Sequence, residues 1–253
     1  MSKITVLITG ASMGIGKATA MTLAKKNYQL ILLARREDKL LQLQAELKET
    51  NAHIIVCDIN NHKQLSKELS NLPKEFNEID VLINNAGLAL GIKSADQAEW
   101  SDWQTMIETN CVSLAFLTRQ ILPGMVERNS GHVINIGSVA GSYAYKGGNV
   151  YGATKAFVEQ FSINLRTDLL GSKVRVCNLA PGMLGETEFS LVRFHGDKSA
   201  AKEVYQGCQP LMPNDIAQSI RWILEQPEHV NINSMEIMPT CQAPGGLAIA
   251  KDS

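Results

Sequence analysis

Cysteine is sparse and scattered in this sequence: Cys57, Cys111, Cys177, Cys208 and Cys241 show no Cys-x-x-Cys spacing. That excludes a zinc ribbon or a thioredoxin-type redox motif, and no metal site is expected. Isolated cysteines in apolar runs, such as Cys57 at the end of His53–Cys57, read as small core residues. Net charge is nearly absent as well, with 24 Lys+Arg against 25 Asp+Glu. That balance argues against a nucleic-acid binder and against a protein held to a membrane surface by charge. No apolar run approaches the ~20 residues of a membrane span. The apolar stretch ahead of Gly10 is too short for the core of a signal peptide. The chain therefore reads as soluble and cytoplasmic. With 45% hydrophobic and 19% charged residues, disorder is excluded too.

Repeats, low-complexity tracts and Pro/Ser-rich linkers are also missing, so residues 1–253 read as one domain. At that length about 70–75% of the unfolded surface can be buried without a disulfide or metal staple. What the chain does have is alternation. Short β-branched runs at Ile4–Thr9, Gln29–Ala34, His53–Cys57, Asp80–Asn84, His132–Ile136, Val174–Leu179 and Met235–Met238 predict strands. Several are apolar at consecutive positions, which suits strands covered on both faces. Helical patterns lie between them near 15–26, 36–49, 62–71, 102–122, 149–170 and 214–226. The implied architecture is α/β: a single-domain, Rossmann-like, doubly wound parallel sheet of about seven strands. Residues 182–213 are poorly patterned, as expected of a segment that covers a substrate site.

The first strand runs into Thr9-Gly10-Ala11-Ser12-Met13-Gly14-Ile15-Gly16, and a helix follows. Glycines at 10, 14 and 16 would let backbone N–H groups approach a pyrophosphate at a helix N-terminus. A dinucleotide site for NAD usually ends the second strand on an acid that binds the ribose 2′-hydroxyl. Here that end reads Ala34-Arg35-Arg36. Two guanidinium groups would receive a 2′-phosphate, which favours NADP, although the pair could also begin a solvated helix. Asp58, after the third strand, could accept from an adenine amino group or cap a turn. Asn84-Asn85-Ala86-Gly87 could let a cofactor lie close to the sheet edge or simply end the fourth strand.

Tyr151 and Lys155 stand one helical turn apart, which places them on one face. An ammonium there would draw the tyrosine pKa down and fit the phenol for acid/base work near neutral pH. Ser138, at the end of the fifth strand, could bring its hydroxyl to the same place.

Taken together, TGASMGIG, NNAG, Asn110, Ser138, Y-x-x-x-K and Pro181-Gly182 resemble the short-chain dehydrogenase/reductase family along nearly the whole chain. The resemblance implies hydride transfer between NAD(P) and a carbonyl or alcohol. It implies that Tyr151 carries the proton, Ser138 holds the substrate oxygen, and Lys155 tunes Tyr151 and binds the nicotinamide ribose. Asn110 would hold a water of the proton relay. Ser12, Ile15, Ile59 and Asn85 would join the cofactor contacts, as would Pro181, Gly182, Met183 and Thr187.

Longer segments (NNAGLALG, YKGGNVYGATKAFV, TEFSLVRFHGD and EHVNINSMEIMP) resemble the branch of NADP-dependent 3-hydroxy acid dehydrogenases. Members of that branch act on serine, allo-threonine and other short 3-hydroxy acids, or reduce malonic semialdehyde, and are usually tetramers. The implied partner is a small molecule. Its carboxylate would suit Arg193, which carries the planar fork that meets two oxygens at once. Arg193 could equally pair with Glu186, Glu188 or Asp197, and Lys146 is a second cationic candidate. A reductase of 3-oxoacyl thioesters or other carbonyls, or a non-catalytic NADP sensor, would carry much of the same sequence. The stretch Leu247–Ser253 carries no recognisable pattern.

Overall fold

A computed structural model describes residues 3–26, 28–48, 50–185 and 187–245. Glu186 and Leu247–Ser253 lie outside the described residues. The apolar runs form β1 (Ile4–Thr9), β2 (Tyr28–Ala34), β3 (Ala52–Val56), β4 (Val81–Asn84), β5 (Gly131–Ile136), β6 (Val174–Pro181) and β7 (Ser234–Ile237). All pair in parallel, in the order β3-β2-β1-β4-β5-β6-β7. Helices α1 (Gly14–Leu23), α2 (Glu37–Glu46), α3 (His62–Ser70), α4 (Trp100–Ile107), α5 (Ser113–Glu127) and α6 (Asn149–Asp168) follow the first five strands. α7 (Phe189–Arg193), α8 (Lys198–Glu203) and α9 (Pro213–Leu224) lie between β6 and β7.

Side chains of a strand alternate between faces, so one apolar run feeds two cores. Val6 and Ile8 of β1, with Leu30 and Leu32 of β2, pack against Leu23 of α1, Leu40 of α2 and Ile220 of α9. Leu7, Ile31 and Leu33 point the other way, toward Leu65 of α3, Leu117 of α5 and Leu165 of α6. Val6, Leu7 and Ile8 are all fully buried, as a two-sided sheet requires.

Three features differ from the sequence reading. The helix expected across 102–122 is broken by a π-helical turn over Glu108–Val112. Residues 182–213 are not structureless: they hold α7 and α8, and their base is closed where Leu184 bridges Leu211. The cysteines are not all isolated core residues. Cys208 and Cys241 form a disulfide with Cα atoms 6.1 Å apart, while Cys57, Cys111 and Cys177 are buried thiols. The chain after β7 returns to the end of the 182–213 segment, a meeting that spacing along the sequence does not reveal. Among the described residues, no helix is long and apolar enough to cross a membrane.

Candidate active site

The chain starts at β1, builds outward to β3, and then crosses back to β4 on the other side of β1. In such sheets a crevice opens beyond the carboxyl ends of the strands at that reversal. Here it is a cleft of about 1070 Å³. The glycine turn lines one end of it. Gly14 holds φ +51, a conformation side chains disfavour. A Cβ on Gly16 would run into the Gly10 carbonyl oxygen. The turn is pinned from below: Asn85 Nδ2 donates to the Thr9 carbonyl at 2.8 Å, and Thr9 Oγ1 accepts from the Asn85 and Ala86 amides. The Asn85 side chain thus serves the turn, although the residue also lines the cleft with Ser12, Ile15 and Ile59.

Arg35 and Arg36 border the same end of the cleft, and each faces a carboxylate. Arg35 lies 3.6 Å from Asp58, and Arg36 2.9 Å from Glu188. Asp58 also accepts from the Asn60 amide at 3.0 Å, so it caps a turn while facing the cleft. The cap of α3 itself is Asn61.

Ser138, Tyr151 and Lys155 converge in the middle of the cleft. Ser138 lies two residues beyond β5 in extended conformation, and its Oγ accepts from the Ala140 amide at 3.1 Å. Pro181, at the tip of β6, offers its carbonyl 3.5 Å from the same hydroxyl. Tyr151 and Lys155 sit in the first two turns of α6 and are buried. Lys155 Nζ donates to the Ile136 carbonyl at 2.8 Å, and burial lowers its pKa to about 8. Burial pushes the Tyr151 phenol up to about 12, against a downward pull from Ser138 and a weaker one from Arg193. The Lys155 ammonium is held by that backbone carbonyl, and the Arg193 guanidinium adds a second positive charge beside the phenol.

Asn110 lies on the π-helical turn, with its side chain buried and fully engaged. Oδ1 accepts from the Leu88 amide at 2.9 Å, while Nδ2 donates to the Leu88 carbonyl at 2.8 Å and Thr154 Oγ1 at 3.0 Å. Thr154 Oγ1 in turn donates to the Tyr151 carbonyl. The loop under the cleft is thereby tied to α6.

Residues 182–213 wall the open side. Met183 donates its amide to Gln242 Oε1 at 2.7 Å, and Gly182 donates to the Ile237 carbonyl at 2.7 Å. Thr187 lies over the glycine turn, its methyl 3.3 Å from where a Gly14 Cβ would stand. Phe189 packs against the Tyr151 ring with centroids 5.8 Å apart. Arg193 closes α7 with its guanidinium 5.9 Å from the centre of the Tyr151 ring and 5.3 Å from that of Tyr145. It donates to Tyr145 Oη at 2.9 Å and to the Gly91 carbonyl at 3.3 Å. Its two described alternative partners are engaged elsewhere, Glu188 with Arg36 and Asp197 in capping α8. Lys146 lines the cleft in an exposed position.

A family model for short chain dehydrogenases matches residues 4–195. The chain belongs to that family. Among relatives of this short-chain dehydrogenase is the NADP-dependent 3-hydroxy acid dehydrogenase YdfG of Escherichia coli, 49% identical over 96% of this chain and 98% of the relative. The serine 3-dehydrogenase of Rhizobium radiobacter is 47% identical over 98% of this chain and 99% of its own. A solved closed form of serine dehydrogenase complexed with NADP+ superimposes with a TM-score of 0.96 at 48% identity. That match covers 98% of this chain and 100% of the other.

Some residues of this short-chain dehydrogenase that serve the site carry no sequence signal. Thr154 and Gln242 act by hydrogen bonds to partners 44 and 59 residues away. Tyr145, which holds Arg193, sits beside the Lys146-Gly147-Gly148 stretch and could have been found only as an aromatic near a candidate cation.

Proposed function

We infer that this short-chain dehydrogenase is an NADP-dependent oxidoreductase acting on the CH–OH group of short 3-hydroxy acids. It transfers hydride between the nicotinamide and the 3-hydroxyl or 3-oxo group of serine, allo-threonine or 3-hydroxypropionate, the last giving malonic semialdehyde. The observation that carries this reading is Arg193, beside the Tyr151 ring and held in place by Tyr145 and Gly91. A hydroxy acid offers little apolar surface, so a fixed guanidinium near the proton-carrying phenol supplies both grip and orientation.

The groups present fit NADP. The glycine turn leaves room where a Cβ would intrude, and a Cβ on Gly87 would come within 3.5 Å of Lys155 Nζ. Gly10, Ser12, Gly14, Ile15 and Gly16 would hold the pyrophosphate end, and Arg35 and Arg36 the 2′-phosphate. Asp58, Ile59 and Asn85 would flank the adenosine side, and Pro181, Gly182, Met183 and Thr187 the nicotinamide side. When bound, NADP supplies or takes up the hydride. Tyr151 exchanges the proton with the substrate oxygen, which the Ser138 hydroxyl orients. Lys155, which lines the cleft, would hold the nicotinamide ribose and steady charge near Tyr151. Asn110 has its side chain committed to Leu88 and Thr154, so any water it holds in a proton relay falls to its main-chain carbonyl.

Residues 182–213 act as a lid over the substrate, and the reading extends to a homotetramer. Exposed Trp100, Ile107, Val112, Phe157 and Ile163 supply apolar surface for subunit contacts. The cytoplasm, where NADP pools are kept, is the compartment that goes with this activity.

The test is a panel of serine, both threonine diastereomers, 3-hydroxypropionate, 3-hydroxyisobutyrate and a 3-oxoacyl thioester, with NADP and NAD as matched cofactors. Highest kcat/KM for a 3-hydroxy acid with NADP supports the assignment. Preference for the thioester, or equal use of the two nucleotides, overturns it.

A further inference from the structure

Glu188 has no part in the chemistry above, yet it joins two regions far apart in sequence. Both of its carboxylate oxygens accept from Arg36 Nη1, at 2.9 and 3.2 Å. The other terminal nitrogen of Arg36 reaches Ser12 Oγ at 3.4 Å and Met13 Sδ at 2.8 Å. Glu188 is the residue immediately before α7, and Arg193 is the last residue of α7. One short helix therefore has the cofactor-side arginine at its start and the substrate-side arginine at its end. The helix is braced as a unit: Ser190 Oγ and Tyr205 Oη lie 2.6 Å apart, and Tyr205 Oη donates to the Leu184 carbonyl at 2.8 Å.

We propose that Glu188 is a positioning residue that couples recognition of the cofactor's 2′-phosphate to the placement of Arg193 on the substrate. This rests on the reading that the 2′-phosphate meets Arg36. A guanidinium carries five N–H donors in one plane. Glu188 occupies a single nitrogen, and Nε has no partner among the described residues. A phosphate can therefore add to Arg36 without evicting the carboxylate, leaving the cation between two anions. By itself this half-exposed ion pair contributes little, since its Coulomb gain is offset by the cost of ordering two long side chains. A bound phosphate orders Arg36 in advance, and the carboxylate then meets a fixed partner. NADP thus holds α7 down more firmly than NAD does, and Arg193 is better placed for the substrate carboxylate.

The experiment compares wild type with Glu188→Gln, using 3-hydroxypropionate and saturating NADP or NAD. In wild type, the substrate KM with NADP should lie roughly fivefold or more below that with NAD, the lower bound of ordinary site–site coupling. In Glu188→Gln the KM with NADP should rise to the NAD value, with kcat changed far less. Amide exchange across α7 gives a readout without turnover: NADP should protect α7 more than NAD in wild type, and the difference should vanish in the variant. A KM gap that survives in Glu188→Gln overturns the proposal. So does tighter NADP binding at unchanged substrate KM, which would make Glu188 a mere competitor for Arg36. If Arg36→Ala binds NADP as tightly as wild type, the underlying placement of the 2′-phosphate fails instead, a distinct result.

Discussion

Tyr151 is placed where burial opposes the proton transfer proposed for it. With its phenol at about 12, it gives up a proton readily only when a cation stands near. Arg193, 5.9 Å from the ring centre, is such a cation and the proposed grip on the substrate carboxylate. Arg193→Met should therefore do two things. The rising limb of the pH profile for alcohol oxidation should move upward, because removing the positive charge raises the phenol pKa. The kcat/KM for a 3-hydroxy acid should fall by roughly 2–4 kcal/mol, with a much smaller loss for an uncharged alcohol of similar size. Equal losses on both substrates would make Arg193 structural. Tyr151→Phe should nearly abolish turnover while leaving NADP affinity, read by fluorescence, close to wild type. Retention of more than about a tenth of kcat would require another proton carrier.

His132 on β5 makes a different point at the same scale. It is buried with neither ring nitrogen partnered among the described residues. Burial, helped by the charge of Arg175, pushes its pKa down to about 3. The unfolded chain takes up a proton near pH 6.5 and the folded chain does not, so stability falls as pH drops through that value. From pH 7 to pH 5 the residue should cost about 2 kcal/mol. Urea midpoints at the two pH values measure the loss, and His132→Leu should remove about that much of it.

At the scale of elements, the strands were legible because a sheet covered on both faces demands consecutive apolar residues, as in Leu30–Leu33. The glycine turn and the Tyr151/Lys155 face were legible because each follows from local spacing. The π-helical turn was not, because helical spacing continues on both sides of it and the one-residue shift it introduces carries no signal of its own. Yet this turn presents Asn110 to Leu88 and Thr154, and π turns inside helices recur at functional sites. Thr154→Val removes an acceptor from a buried Asn110 amide, which should cost about 1–3 kcal/mol in a urea melt. Because Thr154 also bonds the Tyr151 carbonyl, kcat should fall with it. Unchanged stability would mean that Asn110 finds another acceptor. The ion pair between Arg36, just ahead of α2, and Glu188, just ahead of α7, was equally hidden, since 152 residues separate the two charges.

At the scale of the whole molecule, two apolar layers on one sheet carry the stability, and a covalent tie is added at one edge. Cys208 and Cys241 are 33 residues apart, and between them lie α9 and β7. Closing a loop of that length lowers the entropy of the unfolded chain by an amount worth roughly 3–4 kcal/mol. A thiol reductant should accordingly lower Tm by on the order of 10 °C, and Cys241→Ser should remove the dependence on reductant. A Tm indifferent to reductant would show that the tie adds nothing to stability. The bond also changes what kind of object the chain is. Between those two sulfurs the polypeptide is a ring, with the edge strand of the sheet as part of its circumference. A single protease cut anywhere within that ring would leave the protein in one piece on a gel, and it would separate into two only when the thiols are restored.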